Sequence, residues 1–281
     1  MKTWFITGVS RGLGRALAQA ALDRGDTVIG TTRSGTSELH KAAGMLHVLA
    51  LELTDPAAIE RAVCDTFAIA GRIDVLVNNA GYGLLGPIEH ASDAEVAQLF
   101  EVNLFAGFRL VRAALPRLRA QGSGHIVNIT SVAGRAPIPS TGLYAAAKAA
   151  MEALSHALAQ EVAPFGLHVT AVAPGTFRTD FFSDHSIRHT EREGTDSYDG
   201  TVGKAIAAFE AMSGHQIGNP DRAAAAILAL VDNADPPRHL LLGSDALRRA
   251  RDEIDAVTAE MDIWEAVTSS TDAERETVDA H

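Results

Sequence analysis

The N-terminal stretch constrains this chain more than any other. Thr3-Trp4-Phe5-Ile6-Thr7 is a short apolar, β-rich run and reads as a strand. Gly8-Val9-Ser10-Arg11-Gly12-Leu13-Gly14 follows, then a helical stretch to about Arg24 with Ala16, Leu17, Ala20 and Ala21 apolar. A strand that turns through glycines into a helix aims unpaired N–H groups and a partial positive charge at the turn. That geometry suits a dinucleotide pyrophosphate, because glycines let phosphate approach the backbone. The spacing is Gly-x-x-x-Gly-x-Gly, which differs from the Gly-x-Gly-x-x-Gly of many dehydrogenases.

Strand and helix go on alternating. Strands are predicted at about 3–7, 27–32, 46–51, 74–78, 125–130, 168–173 and 239–242, and helices at about 11–24, 57–70, 92–120, 143–163, 221–233 and 245–266. Val75-Leu76-Val77 and Ile126-Val127-Asn128-Ile129 are short and apolar, as in a sheet buried on both faces. The expected fold is α/β: one Rossmann-type, doubly wound domain with a seven-stranded, mostly parallel sheet, helices on both faces and a C-terminal helical extension. Residues 1–244 make the expected catalytic domain, with a long irregular insertion at 176–218. Residues 245–281 add a helix and an acidic tail to the same domain.

Charge and composition exclude several classes. The net charge is −11, and residues 245–281 alone carry −7, so nucleic-acid binding is not expected. No apolar run is long enough to span a bilayer, and Met1-Lys2-Thr3-Trp4 enters the first strand without a secretory leader. A cytoplasmic protein without membrane contact is expected. Cys64 is the single cysteine, and the 11 histidines lack ligand spacing, so no metal site is expected.

Tyr144-Ala145-Ala146-Ala147-Lys148 carries the chemistry. Residues four apart on a helix share a face, which places a phenol beside an ammonium. Free Tyr titrates near ~10, too high for efficient proton transfer at neutral pH, and an adjacent cation lowers that value. Ser131 lies thirteen residues upstream, and Asn103 further. In doubly wound sheets, ligands bind beyond the carboxyl ends of the strands. Gly8, Asn78, Ser131 and Pro174 end the first, fourth, fifth and sixth predicted strands, so they converge on one crevice.

Thr7-Gly8-x-x-x-Gly12-x-Gly14, Asn78-Asn79-Ala80-Gly81, Asn103, Ser131, Tyr144-x-x-x-Lys148 and Pro174-Gly175 occur in that order. Over roughly residues 3 to 245 the chain resembles the short-chain dehydrogenase/reductase family, and within it the bacterial members grouped with hydroxysteroid dehydrogenases. The resemblance implies an oxidoreductase with a catalytic tetrad. Tyr144 would be general acid and base. Lys148 would depress its pKa and bond the nicotinamide ribose. Ser131 would hold the substrate oxygen, and Asn103 would support a water chain to Lys148. The resemblance also implies a cofactor site of Gly8, Ser10, Arg11, Gly12, Leu13, Gly14, Thr32, Arg33, Glu52, Leu53, Asn79, Ala80, Gly81, Tyr144, Lys148, Pro174, Gly175, Phe177 and Thr179. Glu52 departs from the pattern: the family usually places Asp near the adenine, and Glu is one methylene longer. A nucleotide-sensing regulator without turnover, and an isomerase or dehydratase, are competing readings of the same fold.

Thr32 falls where an acidic residue would bind the ribose of NAD. Arg33 follows it, and Arg11 is a second nearby cation, so NADP(H) is favoured over NAD(H). The insertion opens with Phe177, Phe181 and Phe182, and Val202, Ile206, Phe209 and Met212 follow at helical spacing. The polar stretch 183–200 between them reads as a mobile hinge. Together with Tyr82, Leu84, Val132, Ala133 and Leu143, which flank the motifs, these residues predict an apolar lid. The expected small-molecule substrate is a bulky, mainly apolar ketone or secondary alcohol. None of the mouth residues supplies a charge, and Arg135 and Arg178 lie near the motifs in sequence. The catalytic helix is Ala-rich nearly all round, which predicts a homodimer or homotetramer. Leu247, Ala250, Ile254, Val257, Met261 and Trp264 alternate by three and four, a seam expected to dock on its own domain.

Overall fold

Strands that are apolar on both faces need cover on both sides, and the chain supplies it with helices that alternate between them. The computed structural model describes residues 1–40, 43–183, 186–190 and 197–273. The central strands are β1 (Thr3–Thr7), β2 (Thr27–Thr32), β3 (Met45–Ala50), β4 (Val75–Asn78), β6 (Gly124–Ile129), β7 (Leu167–Pro174) and β9 (His239–Leu242). They form one seven-stranded sheet in the order β3-β2-β1-β4-β6-β7-β9, and every pairing in it is parallel. Each predicted strand is present with its ends shifted by at most one residue.

The period of two divides the side chains between two cores. Trp4 and Ile6 point to one face, where α1 (Gly12–Asp23) and α7 (Pro220–Asp232) cover them. Phe5 points to the other, under α2 (Pro56–Ala70), α4 (Ala106–Gln121) and α5 (Gly142–Val162). At about 1.5–3 kcal/mol for each large side chain buried, these two apolar layers supply the main driving force for the fold.

Two elements differ from expectation in ways that bear on the site. The helix predicted over 92–120 is not continuous. Helix α3 (Asp93–Phe100) gives way to a five-residue π-helical turn, Glu101–Phe105, before α4 begins. Asn103 lies in that turn, and its Nδ2 donates to Leu99 O at 3.1 Å and to Tyr82 O at 3.0 Å. The side chain thus engages a carbonyl of the preceding helical turn. The second difference lies in the insertion. Strands β5 (Gly83–Leu85) and β8 (Ile187–His189) pair in parallel as a separate two-stranded sheet. Three residues each are too few for a readable period. Helix α6 (Lys204–Met212) follows, with Ile206, Phe209 and Met212 on it, while Val202 lies in the preceding π turn. Within the stretch 183–200, residues 184–185 and 191–196 lie outside the described residues.

The C-terminal helix α8 (Ser244–Ser269) corrects another expectation. Among the described residues its buried positions, Ala246 and Ala250, lie at its start. Beyond that the seam does not dock: Ile254, Met261 and Trp264 are 63%, 59% and 61% exposed.

Between β4, β6 and α5 runs a buried polar chain. Asn78 Nδ2 donates to Asn128 Oδ1 at 2.7 Å, Asn128 Nδ2 to Ser155 Oγ at 2.8 Å, and Ser155 Oγ to Met151 O at 2.6 Å. It fixes α5 against the strand ends that carry the motif residues.

Candidate active site

The glycine turn is held in shape by the end of β4. Gly8 and Gly12 have φ of +73° and +59°, where side chains other than glycine are strained. A Cβ on Gly14 would collide with the Asn79 amide and the Gly8 carbonyl. Asn79 Nδ2 donates to Thr7 O at 2.8 Å and Gly8 O at 3.1 Å. Thr7 Oγ1 accepts from the Asn79 and Ala80 amides at 3.0 and 3.1 Å. No side chain caps the N-terminus of α1. Its first-turn N–H groups and the close-packed glycines together fit the pyrophosphate of a dinucleotide.

Beyond the strand ends lies a cavity of about 550 Å³. Asn103, Ser131, Tyr144 and Lys148 line it, as does every residue of the expected cofactor site, from Gly8 at the turn to Thr179 in the insertion. Of the expected substrate residues, Tyr82, Val132, Ala133 and Phe181 line it too. Leu84 and Leu143 do not. Leu84 is buried with Leu99, Tyr144 and Ala145, and Leu143 packs on the same cluster, so both brace Tyr144 from behind. The side chain of Phe182 lies outside the described residues. Sequence reasoning missed Leu85 and Ile187 on the small sheet, Ile138, Thr141, and two arginines, Arg188 and Arg249. Arg135 and Arg178, which lie near the motifs in sequence, are used elsewhere: Arg135 pairs with Glu152 at 2.9 Å, and Arg178 Nε donates to Gln216 O at 2.6 Å.

Tyr144 and Lys148 are both buried. Lys148 Nζ donates to Ile129 O at 3.0 Å and lies 5.8 Å from the centre of the Tyr144 ring. Burial pushes the Tyr144 phenol up to about 12, and a hydrogen bond with Ser131 works against that rise. The expected lowering by Lys148 is not what the structure gives. The ammonium is directed at a backbone carbonyl, and desolvation dominates the phenol. Burial also lowers Lys148 to about 8, and the charge of Glu152 partly restores it. Glu152 in turn accepts from Thr130 and Arg135 and lies 3.4 Å from His239 Nδ1.

Behind this pair is a second cavity of about 10 Å³, bordered by Lys148, Asn103, Asn78 and Thr7. Roughly one water fits such a space. The Oδ1 atoms of Asn78 and Asn103 have no protein hydrogen-bond partner, so both can accept there.

Residues 2–190 match the short chain dehydrogenase family. The chain belongs to the short-chain dehydrogenases/reductases. As a member, it is an oxidoreductase acting on CH–OH groups with NAD(P) as acceptor. It is 37% identical over 267 residues to the oxidoreductase BOA17 of Botryotinia fuckeliana, a match spanning 94% of this chain and 96% of that one. It is 35% identical over 240 residues to a 3-ketodihydrosphingosine reductase of Bacteroides thetaiotaomicron, spanning 85% and 86%. A short-chain dehydrogenase structure from Streptomyces avermitilis superimposes with a TM-score of 0.86 at 39% identity, covering 97% of this chain and all of the other. Among the described residues of this dehydrogenase/reductase, no helix is long and apolar enough to cross a membrane. No cluster of three His, Cys, Asp or Glu among them is placed to hold a metal.

The Lys148 shift has a kinetic signature. Lys148 is cationic below about 8 and neutral above it. The kcat/KM for carbonyl reduction reports groups of the free enzyme. It is expected to hold steady from pH 6 to 7.5 and to decline as pH rises through about 8. Lys148→Ala is expected to lower the plateau and remove that decline. A wild-type profile flat to pH 10 would contradict the assignment.

Proposed function

We propose that this protein is an NADPH-dependent reductase of bulky, mainly apolar ketones, and oxidises the matching secondary alcohols in reverse. The observation that carries this reading is the convergence of Ser131, Tyr144, Lys148 and the uncapped start of α1 on one cavity. NADPH, when bound, supplies the hydride. Everything else falls to the chain. With its phenol raised to about 12, Tyr144 keeps its proton at neutral pH and can give it to the carbonyl oxygen. Ser131 holds that oxygen beside the phenol. Lys148, largely cationic at pH 7, stabilises the phenolate left behind. Asn103 Oδ1 and the small cavity behind Lys148 offer a route for the returning proton. Val132, Ala133, Phe181 and Ile187 present apolar surface that limits water. The likeness to a 3-ketodihydrosphingosine reductase supports a ketone as substrate.

Arg33 supports NADPH. It is exposed at the end of β2, lines the cavity and follows Thr32 where an acid would select NADH. The Thr32 hydroxyl is already donated to Thr36 O at 2.9 Å. Arg11, the other expected cation, donates to Ser186 Oγ at 3.0 Å and so ties the glycine turn to the insertion. Glu52 folds back onto Thr54, accepting from its amide at 3.1 Å and its hydroxyl at 3.0 Å. The exposed Phe105 and Phe108, at the start of α4, support a homodimer or homotetramer.

Three outcomes test this reading. Tyr144→Phe is expected to cut kcat by at least about 100-fold, within the range of general acid catalysis, while NADPH still quenches protein fluorescence with near-normal affinity. A smaller loss removes Tyr144 as the acid. Arg33→Asp is expected to lower the NADPH-to-NADH ratio of kcat/KM by about tenfold or more. A wild type that works equally well with NADH defeats the cofactor assignment. Sedimentation equilibrium is expected to return a multiple of the 29.6 kDa chain mass, and a concentration-independent monomer would refute the assembly.

A further inference from the structure

We propose that Arg249 reads an anionic group on the substrate, so that the ketone reduced here carries an acidic head on an apolar body. The inference rests on the reading of this site as a ketone reductase. Its starting point is a cation where none is expected. Val102, Val132, Ala133, Ile138, Phe181 and Ile187 give the cavity shared with Tyr144 much apolar lining. Arg249 joins that lining from the second turn of α8. A half-buried guanidinium against such a surface is costly unless something offsets it.

The described neighbours offset it in part, but none forms an ion pair with it directly. Arg249 Nη2 donates to Ala136 O at 2.5 Å. That carbonyl is neutral, and guanidinium has five N–H donors. Asp245 is one turn back on α8 and favours the cation through its charge, but it makes no ion pair with Arg249. Asp245 Oδ2 accepts from the Thr176 amide at 2.8 Å and hydroxyl at 2.9 Å, while its Oδ1 is buried without a hydrogen-bond partner. Burial is the larger influence on Arg249 and lowers its pKa.

Position makes the cation useful. Ala136 belongs to the loop that starts at Ser131, and its amide closes onto Val132 O at 2.8 Å. Asp245 anchors the other end of the same helical turn to Thr176, beside Pro174 and Gly175. Arg249 therefore stands between the Ser131 loop and the segment after β7, the two stretches that flank the reacting end of the cavity. Arg188 lines the cavity from β8, stacked 4.8 Å from the centre of the Tyr82 ring. A carboxylate or phosphate would give Arg249 a direct charge-assisted hydrogen bond, which Asp245 supplies only as a nearby charge. A brace for the loop would need only the single bond to Ala136.

The test uses the full chain with NADPH and matched aliphatic keto acids and their methyl esters, the carboxylate set at successive distances from the ketone. At one or two adjacent lengths, the acid is expected to exceed its ester in kcat/KM by roughly 10- to 100-fold, as a charge-assisted hydrogen bond would give. Arg249→Met is expected to collapse that ratio towards one, whatever it does to absolute rates, and Arg249→Lys to keep part of it. A ratio at or below one throughout, or one that survives Arg249→Met, overturns the assignment. Calorimetric binding of decanoate, decyl phosphate and methyl decanoate in the presence of NADPH gives a readout that needs no turnover. Either anion binding more tightly than the ester, and losing that advantage in Arg249→Met, supports the site. Equal binding of all three sinks it. Failure to reduce any ketone would sink the reductase reading instead and leave the binding result to decide the anion site.

Discussion

Everything at the site depends on the parting of two neighbouring strands. β1 and β4 lie side by side, yet the helices that follow them go to opposite faces: α1 covers Trp4 and Ile6, and α4 covers Phe5 and Leu76. A crevice must open where they diverge. Thr7 and Asn79 close its floor by hydrogen-bonding across the two strand ends, and their bonds hold the glycine turn open above it. The site is thus a consequence of topology, and the polar bonds at its base keep a gap of fixed width in an otherwise apolar layer.

Burial then does two things to Tyr144 and Lys148. The same loss of solvent raises the phenol and lowers the ammonium, so both move towards neutrality. Their opposition is settled by neighbours. Ser131 works for the phenolate, and Glu152 for the ammonium. Glu152 lies one helical turn beyond Lys148, and Thr130, Arg135 and His239 surround it. Helix α5 therefore carries a phenol, an ammonium and a counter-charge along one stripe, four residues apart each time.

The sheet was legible because its strands are apolar on both faces and separated by strong turn and cap signals, such as Asp55-Pro56 and Asn219-Pro220 at the starts of α2 and α7. The cofactor side was legible because glycine and asparagine positions there answer to backbone geometry, which spacing records. The substrate side was not. Strands β5 and β8 are too short for a period, and Leu84 looks in sequence like its neighbours on the cavity wall although it is core. Arg249 was invisible because nothing local marks it: its place follows from the docking of the start of α8, where Ala246 and Ala250 are buried and Asp245 accepts from Thr176. The break at Asn103 escaped for a similar reason, since helix propensity does not register a side chain that competes for its own ladder.

The projection of α8 gives the molecule a built-in pair of optical probes. Its two tryptophans sit in opposite surroundings. Trp4 is fully buried, with its indole N–H on Asp26 at 2.9 Å, and Trp264 stands well exposed on the far half of α8. Emission from Trp4 should be blue and shielded from dissolved iodide, while Trp264 emits to the red and is quenched. Anything that comes to cover the distal helix will alter the red component alone, and loss of the sheet will alter the blue. One cuvette can therefore tell association of the helix from melting of the domain.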